Sequence, residues 1–218
     1  EQLEAGCAAS QVLGLAPTQT AARRWRSLLA AWTGQETPRV TTLHAQALHL
    51  VRHHAALRLV DPPRLLATAD QVAVVSEVLR ESSARTWPAL FREALGTRQF
   101  AERVRDFIAR AAMAGWTPGR LAAAQHPDLS VWRSIAGVWR RYRRVLALAD
   151  AIDYAELLHR ATVLAEQSGA QPRRLICVDD YAELDLQQVG LLRALVTPAS
   201  RLIAVTDPDQ VADRFRGA

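Results

Sequence analysis

Apolar positions follow two different rhythms along the chain, and the change between them outlines an architecture. Near both ends they form short unbroken runs: Val12-Leu13-Gly14-Leu15-Ala16, Leu175-Ile176-Cys177-Val178 and Leu202-Ile203-Ala204-Val205. Such runs suit strands of a parallel sheet buried on both faces, where neither face has to be polar. A shorter strand is predicted over Arg39-Val40-Thr41. Helical stretches follow the first and the Leu175 run, Thr20 to Trp32 and Leu186 to Leu195, so strand and helix alternate as in βαβ units.

From about Leu43 to Gln167 the apolar residues recur at helical spacing instead, and no strand is predicted. Phe100, Val104, Phe107, Ile108 and Ala111 make one stripe, with Thr97 placed to cap its N-terminus. Val131, Ile135, Val138, Tyr142 and Val145 make another, starting after Ser130, and the other faces of that helix carry Arg133, Arg140, Arg141, Arg143 and Arg144. Proline and glycine break the helices at Asp61-Pro62-Pro63, Trp116-Thr117-Pro118-Gly119 and Gln125-His126-Pro127. The expected fold class is α/β: a parallel sheet built from residues 1–43 and 168–218, interrupted by a large all-α insertion over 44–167.

Composition narrows the function classes. The chain has 218 residues, 50% of them hydrophobic, and no apolar run long enough to span a bilayer; its N-terminus lacks the plan of a signal peptide, so a cytoplasmic protein without membrane contact is expected. Cys7 and Cys177 stand far apart without the spacing of a zinc site and read as plain thiols. His49 and His53 are four apart but lack acidic company, which argues against a metal there. All 27 basic residues are arginine, and the net charge is +5. A polyanion is therefore a natural partner, since the guanidinium fork binds phosphate through two hydrogen bonds; a GC-rich genome also exchanges lysine for arginine without changing that physics.

The chemistry sits at one strand end. Asp179 and Asp180 follow Val178 directly, at the carboxyl edge where open α/β sheets bind ligands. Strands of phosphate-loop nucleotidases end in an aspartate that holds magnesium, often followed by a second acid that orients the attacking water. Taken alone, the pair fits a loop-capping role better than a site.

Its surroundings change that reading. Val178-Asp179-Asp180-Tyr181-Ala182-Glu183-Leu184-Asp185-Leu186-Gln187-Gln188 resembles motif II of the UvrD/Rep family of superfamily 1 helicases, V-D-E-Y-Q-D-x-(N/D)-x-x-Q. Thr206-Asp207-Pro208-Asp209-Gln210, running on to Arg214-Phe215-Arg216-Gly217-Ala218, resembles motif III of that family. Upstream, the stretch from Ala16 to Arg23 is similar to motif Ia, Thr41-Thr42-Leu43-His44-Ala45 to the T-F-H motif, and Ile152-Asp153-Tyr154-Ala155-Glu156-Leu157-Leu158 to the D-F-x-D-L-L segment. Five motifs in family order, over nearly the whole chain, are far more specific than one.

The resemblance implies a partial RecA-like domain 1A, carrying the motifs, with the helical middle as domain 1B. It implies an ATP-dependent DNA helicase acting in DNA repair or double-strand-break resection, with ATP and Mg2+ as cofactors, single-stranded and duplex DNA as partners, and a second motor or nuclease subunit alongside. Asp179 would hold the metal, Asp180 would take the general-base position, and Gln210 would sense the γ-phosphate. Phe215 would stack on a base, and Arg216, Thr18, Thr42 and His44 would lie near single-stranded DNA; capping at strand ends explains Thr18, Thr42 and His44 equally well.

Departures from the family pattern point to a weakened motor. Asp180 replaces glutamate and is one methylene shorter; Ala182 and Glu183 replace the Q-D pair; Asp213 and Pro17 stand where the family has aromatics. A DNA-binding or scaffolding subunit with a residual nucleotide site is the alternative. The family's phosphate loop, GxxxxGK followed by Ser or Thr, needs a lysine that this chain lacks. That loop is expected upstream of Glu1, leaving an incomplete sheet with an uncovered edge and a chain that by itself neither binds ATP tightly nor hydrolyses it.

Overall fold

The computed structural model describes residues 7–33, 37–126, 128–168 and 173–207. By its internal contacts the chain divides into two compact units, residues 1–62 with 157–218, and residues 63–156.

The first unit is built on a four-stranded, all-parallel sheet in the order β2-β1-β5-β6, from β1 (Val12–Leu15), β2 (Arg39–Thr41), β5 (Leu175–Val178) and β6 (Arg201–Ala204). Every residue of β1 is buried, as its unbroken apolar run requires. Gly14 sits where a Cβ would come within 3.1 Å of a Val40 methyl and 3.4 Å of the Trp25 ring, so its lack of a side chain lets helix α1 (Gln19–Thr33) lie close on the sheet. Ala16, Ala22 and Val40 form the core of that layer, with Trp25 and Leu29 against it. Helices α2 (Leu43–Leu57) and α8 (Leu186–Leu195) pack on each other within the same unit. α2 ends with Leu59 in the left-handed region at φ 56°, where glycine is usual, held by Val60 N–H donating to the Ala55 carbonyl.

β6 is the outer strand on one side, and all four of its residues are exposed, including Leu202 at 40% and Ile203 at 38%. Among the described residues β6 pairs only with β5, so it forms an outer edge of the sheet that is apolar and exposed.

The second unit is helical. Its core runs through α3 (Thr68–Arg80), α4 (Arg98–Met113), α5 (Pro118–Ala123) and α6 (Leu129–Leu148), gathering Val75, Leu79, Trp87, Val104, Ile108, Leu121, Ile135, Val138, Trp139 and Tyr142. Thr97 caps α4 as expected, accepting from Phe100 N–H at 3.3 Å. Two details differ from the sequence reading. α6 starts at Leu129, after Asp128 rather than after Ser130, and the Pro118 break is also a start, with Thr117 capping a helix that has proline at its first position.

The expectation of no strand in the middle is also corrected. Arg64–Leu65 (β3) and Ala151–Ile152 (β4) pair in parallel and tie the two ends of this unit together. Two-residue strands carry no period that a pattern could reveal. Directly after β4, helix α7 (Tyr154–Ser168) begins; Asp153 accepts from the Glu156 N–H at 2.8 Å and from the Tyr142 hydroxyl at 3.1 Å. Burial, followed by the nearby Asp153 charge, pushes the Tyr142 phenol far above its ordinary range, so it remains a neutral donor. Among the described residues no helix is long and apolar enough to cross a membrane.

Candidate nucleotide and DNA site

Strand register lines up Thr41, Leu15, Val178 and Ala204 as one row across the sheet. The residues that follow them therefore emerge together along one carboxyl edge. The row is extended by backbone bonds: Ala16 N–H to Thr41 O at 2.9 Å, Asp179 N–H to Leu15 O at 3.0 Å, and Val205 N–H to Val178 O at 2.8 Å. From β1 the chain crosses to β2 on one side, and from β5 to β6 on the other. For right-handed crossovers this order places α1 and α8 on opposite faces and makes the carboxyl ends of β1 and β5 the switch point, the position at which open α/β sheets bind ligands. Thr18 follows one of these ends and Asp179-Asp180 the other.

Asp179 uses Oδ1 to accept the Asp180 N–H at 3.2 Å, and Tyr181 N–H donates to the Val205 carbonyl at 3.0 Å, which folds the loop back beside the end of β6. Asp180 itself is left-handed, at φ 50° and ψ 45°, a conformation that aspartate tolerates better than most residues. Its carboxyl is pushed up from the ordinary carboxylate value, first by burial, then by the neighbouring charges of Asp179 and Asp207. Three carboxylates thus act on one another at the end of two adjacent strands. Sequence reading passed over Asp207, because only the fold brings the end of β6 beside the end of β5.

Ionised Asp180 is less favourable in the folded protein than in the unfolded chain. Stability from this group therefore rises as the pH falls through its raised folded value, and the gain is complete below the ordinary value of 3.8. Asp180→Asn is expected to raise Tm at neutral pH and to make no difference in strong acid. Melting curves at both pH values check it; an equal Tm change at both would show that the carboxylate charge is not the cause.

The donor set suits magnesium. Among the described residues no group of three or more His, Cys, Asp and Glu side chains could cage a metal. Magnesium does not need such a cage, since it is held through one or two carboxylates together with substrate phosphates, and an oxygen-only acidic strand end supplies those.

The remaining edge residues have structural duties. Thr18 Oγ1 accepts the Ala21 N–H at 3.1 Å and so caps α1. Thr42 caps α2, accepting from Ala45 N–H at 3.2 Å and from Gln19 Nε2 at 3.3 Å; it is 8% exposed, so its hydroxyl is spent inside the protein. His44, in the first turn of α2, has its pKa lowered by burial and partly restored by the carboxylate of Asp185, so at neutral pH it offers a hydrogen bond rather than a charge. Asp185 is 3% exposed and forms a capping box with Gln188, each side chain bonding the other's backbone N–H at 2.8 and 3.0 Å. Gln19 and Asp185 were not singled out from sequence; the D-x-x-Q spacing inside motif II, Asp185 to Gln188, was the available signal for Asp185. Gln210, Phe215 and Arg216 lie outside the described residues.

Over residues 2–218 the chain matches the family model described as the UvrD/REP helicase N-terminal domain. It is 23% identical over 228 residues to the ATP-dependent DNA helicase Rep of Salmonella typhimurium, covering 98% of this chain and 31% of that protein. It is 26% identical over 234 residues to the ATP-dependent DNA helicase UvrD1 of Mycobacterium tuberculosis, covering 98% and 29%. To DNA helicase IV of Escherichia coli it is 27% identical over 129 residues, 56% of this chain and 19% of that protein. The chain spans less than a third of the length of these relatives.

Proposed function

Because the chain belongs to the UvrD/REP helicase N-terminal domain family, we propose that it is part of an ATP-dependent DNA translocase or helicase working in DNA repair or double-strand-break resection. The observation that carries this reading is the carboxyl edge of the sheet, where Asp179-Asp180 ends β5 beside the capped helix starts at Thr18 and Thr42. In this reading the sheet unit is domain 1A and residues 63–156 form the body of domain 1B.

Asp179 holds magnesium, which when bound neutralises charge on the nucleotide phosphates. Asp180 orients the attacking water and takes its proton, a task favoured by a carboxyl held above its usual range. Gln210 senses the γ-phosphate, and His44, Thr18, Phe215 and Arg216 serve single-stranded DNA, with Phe215 stacking on a base. Thr42 acts indirectly, by fixing the start of α2 so that His44 is presented. The departures at Asp180, Ala182, Glu183 and Asp213 suit the slower motor of a two-motor helicase–nuclease, and the lysine-free, arginine-rich sequence resembles the actinobacterial AdnA subunit of AdnAB.

The second reading, a DNA-binding scaffold with a residual nucleotide site, draws on the same short acid at 180 and its left-handed backbone. DNA-stimulated ATPase of the full-length protein separates the two. Asp180→Glu is expected to raise the rate by up to about 100-fold, the usual cost of misplacing a catalytic group by ~1 Å. No hydrolysis in either form would leave the scaffold.

A further inference from the structure

The amino-terminal ends of the strands gather arginine, at the opposite end of the sheet from Asp179 and Asp180. Arg39 opens β2, Arg173 and Arg174 lead into β5, and Arg201 opens β6. Backbone bonds hold these ends in line: Arg174 N–H donates to the Gln11 carbonyl at 3.0 Å, and Arg201 N–H to the Arg174 carbonyl at 2.8 Å. The Arg173 guanidinium donates to the Ser10 carbonyl, which fixes it beside the start of β1.

Arg39 is the arginine whose needs are not met. Val40 pairs with Gly14 on the face that carries α1, so side-chain alternation turns Arg39 to the other face. There it is half-buried. Its Nε is closed off from solvent without a hydrogen-bond partner, and no carboxylate pairs with it among the described residues. A buried donor on a charged group is costly to leave unmade, and folded proteins meet such donors with a protein group, a water or an ion.

Two imidazoles of α2 join this end of the unit: His49 and His53 stack with ring centroids 6.0 Å apart and 14° between planes. Burial, then Arg39, His53 and Arg173, lower the pKa of His49. Burial and then Arg173 lower that of Arg39, and burial lowers that of Arg173. Guanidiniums and imidazoles from β2, α2 and the lead-in to β5 therefore act on one another within the sheet unit, and every charge among them has the same sign. Like charges on partly buried ground repel, and a bound anion relieves the repulsion.

We propose that Arg39, Arg173 and His49, with His53 at the rim, form a binding site for a phosphate-class dianion, either free phosphate or a phosphomonoester. Two guanidiniums balance two negative charges. The planar fork of Arg39 would aim its Nε–H and a terminal N–H at two oxygens of one tetrahedral ion, a geometry that charge-assisted bonds favour.

The test uses the full-length protein with its nucleotide site filled by a non-hydrolysable ATP analogue and magnesium, so that phosphate is not read there. Sodium phosphate, glycerol 3-phosphate and sodium chloride are compared at one ionic strength. Phosphate is expected to raise Tm where chloride does not, and Arg39→Gln to weaken phosphate binding by at least about tenfold, as loss of a charge-assisted bond implies. In chloride the same variant melts no lower than wild type, because the charge it removes has no partner. On the wild-type protein, carbethoxylation of His49 and His53 by diethyl pyrocarbonate, read by peptide mass spectrometry, is lost in saturating phosphate, whereas His126 in the helical unit reacts as before. Glycerol 3-phosphate binding at least as tightly as phosphate identifies a phosphomonoester, and binding of phosphate alone identifies the free ion. An equal response to phosphate and chloride, full phosphate affinity in Arg39→Gln, or equal protection of His126 overturns the site.

Discussion

Asp179→Asn in the full-length protein is expected to lower DNA-stimulated ATP hydrolysis by about 100- to 1,000-fold. Losing a metal-holding carboxylate forfeits several kcal/mol of charge stabilisation, and each ~1.4 kcal/mol is tenfold in rate. Asparagine is a clean probe at this position. The only side-chain bond that Asp179 makes among the described residues is the one accepted from the Asp180 N–H, and an amide oxygen keeps it. The melting temperature should therefore move little while the rate collapses, and raising the magnesium concentration should recover part of the activity. Steady-state rates across a magnesium series check it. A rate within a few-fold of wild type, with unchanged magnesium dependence, would place the metal elsewhere.

The second large effect is on stability. Trp87 is 2% exposed, meets the Phe100 ring edge-on at 5.5 Å, and sits where its carbonyl accepts from Arg92 Nε and the preceding Thr86 carbonyl accepts from Ser134 Oγ. It joins the irregular segment between α3 and α4 to α4 itself. Trp87→Ala removes the largest fully buried side chain among the described residues and leaves a cavity that those anchored neighbours cannot collapse into. A loss of about 3–5 kcal/mol is expected. Urea unfolding followed by circular dichroism measures it, with wild type as reference. A loss under about 1 kcal/mol would mean that the segment around Trp87 can shift to fill the space.

The strands of the sheet were legible because burial on both faces demands an unbroken apolar run, which is why Val12 to Leu15 and Leu175 to Val178 can be read directly. Helix α8 has the bounds expected from its pattern, Leu186 to Leu195; Asp185 and Gln188 fix its start as a capping box, a signal the pattern reading did not use. What could not be read depends on distance. β3 and β4 are two residues each and lie far apart in sequence, so nothing local marks their pairing. The α2 helix has an ordinary helical pattern, and no residue in it says that it packs with α8 beside the sheet. Asp180 could be found as half of a motif, whereas the crowding of its carboxyl by Asp207 needed β5 and β6 to be neighbours. His44 could be matched to a family position, but its proximity to buried Asp185 could not.

β6 has a bearing on how this chain behaves in a tube. Among the described residues β6 pairs only with β5, and a strand edge that carries exposed Leu202 and Ile203, followed by exposed Val205, is the kind of edge by which one molecule recruits another strand to strand. Natural edges blunt that tendency with a lysine or an inward-facing charge; here the only charge on the strand is Arg201, at its start. Concentration-dependent self-association is therefore expected from the same four residues that a neighbouring strand would bury.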